Sequence, residues 1–202
     1  MLERIPPREW RDLTVSWFAL TLAFTVAFLR GETINVSSFF LVFFVSAITV
    51  GVGFILHELS HKFTAMHFGY WAEFQKNTLA LVAAVVLAAL TGIVFAAPGA
   101  TVIYAGNLSR REDGIISAAG PLANILLALP FMALAFLGGS LLGVIGSAGW
   151  QVNGMLAAFN MLPVGPLDGR KVLAWSPGIF LLLIAAAVGI LGLSYFSSLS
   201  FF

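Results

Sequence analysis

Residues 78–105 read TLALVAAVVLAALTGIVFAAPGATVIYA, and whether this stretch crosses a membrane or turns back decides the topology of everything after it. Residues 78–91 are rich in Ala and Leu, which favour helix. Ile93-Val94-Phe95 and Thr101-Val102-Ile103-Tyr104 then flank Pro98-Gly99. Two β-prone runs around a turn predict a small β-hairpin near 93–105. Fourteen helical residues rise about 21 Å, short of a hydrocarbon core of about 30 Å. The stretch therefore reads as re-entrant: a partial helix, then a hairpin, returning to its own side. Strand edges cannot face lipid, so the hairpin is expected to be buried in protein or to line a wet cavity. The alternative is that 78–97 is an ordinary span.

The basic residues separate these two paths. With a cytoplasmic N-terminus and a re-entrant 78–105, Arg4, Arg8, Arg11, Lys62, Lys76, Arg110, Arg111, Arg170 and Lys171 share the cytoplasmic side, and only Arg30 lies outside. That is a strong positive-inside bias. A crossing at 78–97 would move Arg110 and Arg111 outside and put residues 163–171 on the face opposite His57.

The membrane reading itself rests on charge. Of 202 residues, 60% are hydrophobic and 9% charged, against about 25% charged in soluble domains. Charge-free stretches at 33–57, 77–109, 114–167 and 172–202, with a shorter one at 13–29, hold five or six segments of spanning length. The expected fold is an all-α polytopic membrane protein, one membrane domain over 1–202. Residues 1–35 form a lead and first helix, about 36–175 a core, and 176–202 a C-terminal helix. The first twelve residues read as a short cytoplasmic lead with Trp10 at the interface, followed by a retained helix rather than a cleaved signal. Segments are expected at about 36–57, 115–137, 141–162 and 178–196. A net charge of +1 gives no case for nucleic acid, and without cysteine there is neither a disulfide framework nor a thiolate metal site.

The charged residues that survive in this apolar chain are concentrated. His57-Glu58-Leu59-Ser60-His61 is an H-E-x-x-H run at the end of a span, where ionisable groups are costly and usually functional. Residues i and i+4 of a helix lie about 40° apart, so His57 and His61 project together. Two imidazoles at that spacing can bind zinc, and Glu58 between them can act as acid/base on the metal's water. The bland alternative is an interfacial polar cluster, although two of only three histidines stand on this face. Catalytic zinc takes three protein ligands. His67 would extend the spacing to that of H-E-x-x-H-x-x-G-x-x-H, but position 64 is Thr, and on a continuing helix His67 lies about 240° from His61. Glu73 follows a polar loop. Asp168 is the strongest candidate, since it ends 54 residues without formal charge, and Pro163, Gly165, Pro166 and Gly169 interrupt the helix around it. The plain alternative for Asp168 is a loop aspartate capping the next helix.

H-E-L-S-H at 57–61, Gly120-Pro121-Leu122-Ala123-Asn124, and the run Asn160-Met161-Leu162-Pro163-Val164-Gly165-Pro166-Leu167-Asp168-Gly169 together resemble the site-2 protease family of intramembrane zinc metalloproteases. The resemblance covers about 115 residues, from the second segment to Lys171. It implies a three-helix catalytic core within about 36–175, with zinc held by His57, His61 and Asp168 inside the membrane near the cytoplasmic side. It implies Glu58 as the catalytic residue, Asn160 at the substrate or oxyanion, and Asn124 as a polar core residue beside that site. It also implies that the hairpin pairs with an unwound substrate. Ser60 stands where many members have Gly, Gly169 is followed by Arg170 rather than a second Gly, and no PDZ or CBS domain is present.

The expected activity is then hydrolysis of peptide bonds in or near transmembrane segments, by zinc-bound water, with a membrane protein, single-pass in the simplest case, entering from the bilayer of the cell membrane. A transporter or zinc-binding channel is the alternative from another class, but repeats and several midplane polar helices are absent from the sequence. A catalytically dead scaffold would not need Glu58.

Overall fold

Helix-forming apolar runs separated by Gly, Pro and Asn punctuation give eight α-helices and two short strands in the structure, a computed structural model that describes residues 5–31, 33, 35–94 and 99–199. Helix α1 (Pro7–Phe28) begins with proline in its first turn, where the missing N–H costs nothing. Asn35 starts the next helix through a capping box with Ser38. That helix runs unbroken over Val36–His67 as α2 (Val36–Ser46), a π turn (Ala47–Gly51) and α3 (Val52–His67). The π turn loosens a carbonyl from the helical ladder, and the Trp17 indole of α1 donates to Ala47 O at 3.1 Å. Gly51 leaves the room that the Trp17 ring fills.

Strand β1 (Trp71–Lys76) follows, then α4 (Thr78–Thr91), β2 (Gly99–Tyr104), α5 (Arg110–Leu137), α6 (Ser140–Asn160), α7 (Asp168–Trp175) and α8 (Pro177–Leu199). Four helices are long and apolar enough to cross a membrane: α1, the continuous Val36–His67, α5 and α8. Helix α6, at 21 residues, reaches about 31 Å and packs between α5 and α8, although its Gln151, Asn153 and Asn160 dilute its hydropathy. With it, five helices among the described residues reach membrane length, on an all-α polytopic membrane architecture.

The small sheet is present, but its pairing differs from the hairpin expected near 93–105. Strand β2 pairs antiparallel with β1, Lys76 opposite Gly99 and Trp71 opposite Tyr104, rather than with residues 93–95. Ile93 and Val94 are irregular, and Phe95 and Pro98, with the expected turn, lie outside the described residues. The local reading missed β1 because WAEFQK carries two charges and a glutamine; only Ala72 and Phe74 of that strand are buried. The register nevertheless fixes the path of the long apolar excursion. Gly99 pairs with Lys76, so the chain re-enters the sheet at the level at which it left. Between those points α4 runs beside α1. It is capped at its start by the Asn77 side chain and met at its end by Arg30, whose guanidinium donates to Leu90 O (2.8 Å) and Thr91 O (2.7 Å).

The lead is more structured than its composition suggests. Helix α1 begins at Pro7, well before the segment start expected near 13, and buries Glu9 and Asp12. Glu9 pairs with the fully buried Lys62 and accepts from Phe74 N, while Asp12 pairs with Lys76 at 3.0 Å. The carboxylates are tolerated inside because each has a cationic partner.

Candidate metal centre

Two elements far apart in sequence converge on one point. Helix α3 presents His57 and His61 one turn apart, and α7 presents Asp168 as its first residue. The three ligand atoms lie within 4.8 Å of one another. His57 Nε2 and His61 Nε2 are 3.0 Å apart, and Asp168 Oδ2 is 3.3 Å and 3.2 Å from them. Three donors about 2.0 Å from a tetrahedral ion would be about 3.3 Å apart, so this triangle fits one face of a tetrahedral site. Two imidazole nitrogens and a carboxylate oxygen are also a donor set that suits zinc. The Met161–Leu167 turn that carries Asp168 here needs Gly165 at φ +56°, and Gly169 lets the start of α7 close onto the Met161 backbone.

The imidazoles are held from behind. His57 Nδ1 donates to Asn124 Oδ1 at 2.7 Å, and His61 Nδ1 donates to Ile116 O at 2.7 Å. Both Nε2 lone pairs are thereby left facing Asp168, the tautomer a ligand requires. The direction at Asn124 is set by its neighbours, since Asn124 Nδ2 donates to Gly53 O (3.1 Å) and to Asn153 Oδ1 (2.9 Å). Asn153 in turn donates to Gly149 O. Both carboxamides are fully buried, and a side chain at Gly53 would collide with Asn153. Gly120, on α5, clears the space the two rings occupy: any Cβ there would meet both imidazoles. Pro121 then interrupts the α5 ladder close to the Ile116 carbonyl used by His61.

A cleft of about 830 Å³ opens over this group. Glu58, Asn160 and Leu167 line it together with His57, His61 and Asp168, and β2 forms a wall through Gly99–Ile103.

The structure separates the other sequence candidates. Asn160 stands on the cleft wall and donates to Leu156 O at 2.9 Å. Asn124, expected beside the substrate or oxyanion, lies instead behind His57, fully buried, with its side chain spent on a ligand and two helices. His67 is exposed on the continuing helix, edge-on to Phe68, and Glu73 accepts from the Trp71 indole. Neither belongs to the metal-holding group. Asp168 makes no capping hydrogen bond to its own helix, so the capping alternative fails. Ser60 turns away to donate to Leu56 O. Asn153 was missed in the sequence. The signal was available: a carboxamide in an apolar span must find a partner.

No family model matches the chain, and no solved structure matches it. Curated relatives do. A Methanocaldococcus jannaschii protein with a provisional zinc metalloprotease name is 42% identical over 188 residues, covering 92% of this chain and 94% of its own. Proteins with the same provisional name in Mycolicibacterium smegmatis (29% over 184 residues; 77% of this chain, 68% of its own) and Bacillus subtilis (30% over 145 residues; 62% and 66%) also match. Identity at the level of the archaeal relative, sustained over nearly the whole of both chains, makes this chain a member of the zinc metalloprotease family.

Proposed function

We propose that the protein is an intramembrane zinc metalloprotease of the site-2 type, which hydrolyses peptide bonds in or near transmembrane segments of single-pass membrane proteins. The observation that carries this reading is that Glu58 opens into the same cleft as His57, His61 and Asp168, and shares with both histidines a helix of membrane length. His57, His61 and Asp168 hold the zinc. Zinc, when bound, acts as a Lewis acid and lowers the pKa of water in its shell towards about 7. Glu58 accepts a proton from the attacking water and passes it to the leaving amine, the role its position in the cleft suits. Asn160, on the facing wall, keeps an amide edge for the substrate carbonyl.

A peptide bond in a transmembrane helix is shielded by its own hydrogen bonds, so cutting it needs a partner for the unwound backbone. Among the described residues strand β2 pairs with β1 alone, and its other edge can take an extended substrate by strand addition. The paired charges Lys62–Glu9, Lys76–Asp12 and Lys171–Asp113 gather at the end of the bundle that holds the metal group, and Arg30 sits at the far end of α4. By the positive-inside rule, the N-terminus and the active site face the cytoplasmic side of the cell membrane.

The test is cleavage of a labelled model substrate with a single transmembrane helix, beside metal analysis. Glu58→Gln should lower the rate by at least about 10²-fold while zinc content stays at the wild-type level. Full activity in that variant would overturn the assignment.

A further inference from the structure

Strand β2 does more than wall the cleft. Thr101 Oγ1 donates to Glu58 Oε2 at 2.9 Å and lies 3.2 Å from the backbone carbonyl of the same residue. Glu58 Oε1 has no protein hydrogen-bond partner among the described residues, and the residue lines the cleft. The carboxylate is thus tethered by one oxygen and free at the other. A glutamate side chain left alone samples several rotamers, and fixing it costs conformational entropy. A hydroxyl on a rigid strand removes that freedom before substrate arrives.

The strand is itself located from outside the site. Thr101 pairs with Phe74 of β1. The Phe74 N–H donates to Glu9 at 3.0 Å, and its ring meets Phe54 of α3 edge to face, with centroids 5.4 Å apart. Lys62, in the residue position directly after His61, donates to both Glu9 and Ala72 O. The sheet is therefore referenced to the same helix that carries the metal ligands.

We infer that Thr101 is a positioning residue for Glu58: its hydroxyl holds the carboxylate with one oxygen turned to the cleft, on the strand along which the substrate aligns. The inference rests on the reading of Glu58 as acid/base. Seating a peptide on β2 and orienting the proton carrier become one structural event.

Thr101→Val keeps the shape and the strand preference and removes only the donor; Thr101→Ser restores it. With the labelled single-helix substrate, T101V should lower kcat on the order of tenfold with KM and zinc content near wild type, and T101S should recover most of the loss. Infrared difference spectra taken against E58Q isolate the Glu58 carboxyl band. T101V should shift that band, and T101S should leave it in place. An unchanged kcat, an unmoved band, or a change confined to KM would overturn the role of Thr101. If the zinc-loaded wild type cleaves nothing, the protease reading itself falls, and this inference with it. Cleavage by wild type alongside an indifferent T101V would remove Thr101 alone.

Discussion

At His57 the difference between a metal ligand and a buried base is made by Asn124. The carboxamide accepts from Nδ1 and leaves Nε2 bare, and Asn153 and Gly53 decide which way the amide faces. Replacing Asn124 with Leu should weaken zinc binding about 10- to 100-fold, the range found when the outer partner of a ligating histidine is lost. Asn153→Val should cost less, because Gly53 O still holds one amide hydrogen. Competition with a chromogenic chelator measures both, and wild-type affinity in the Asn124 variant would rule out the orienting role. At this scale the sequence was legible where spacing on one helix or scarcity of charge did the work. His57, Glu58 and His61 follow from helical period, and Asp168 from standing alone after 54 uncharged residues. Asn153 announced only that it needed a partner, and Gly120 and Thr101 were not legible as site residues, since each matters only through which helix or strand it meets.

The elements show the same boundary between local and non-local information. The long apolar helices were visible in composition, but the eight-residue α7 and strand β1 were not: α7 follows a proline-broken turn, and the strand character of β1 comes from packing against α1 and α3 rather than from alternation in WAEFQK. Lys62 and Glu9 anchor that packing, both almost completely buried, with the Lys62 ammonium also 5.0 Å from the centre of the Trp71 ring. Removing one partner of a buried ion pair leaves an uncompensated charge, typically at a cost of about 3–5 kcal/mol, whereas replacing both with apolar residues is often near neutral. Lys62→Met alone should therefore markedly lower the unfolding midpoint in detergent, and adding Glu9→Leu should recover much of the loss. A double variant no better than the single one would show that the pair acts through its backbone partners, Ala72 O and Phe74 N, instead.

Across the whole molecule, the metal group joins segments that no single helix contact brings together: α3 supplies two ligands, α7 the third, and α5 the space between them. A ligand that binds only the folded state stabilises it by about 2.7 kcal/mol at a concentration 100 times its Kd. Stripping zinc with a strong chelator should lower the thermal midpoint, and adding zinc back should restore it; identical midpoints would place the ion away from this junction. The membrane class was plain from the charge-free stretches, and the return of 77–98 was implied by where the arginines and lysines fall. The pairing that closes that return, Lys76 with Gly99, was not. Its consequence is architectural. Seen from the sheet, α4 is a graft in the bend of an ordinary two-strand ribbon whose ends already meet. The ribbon is closed at Lys76 and Gly99, while the graft is moored separately, along α1 and by Arg30 at its far end, so lengthening it by a turn would not of itself shift the register that walls the cleft.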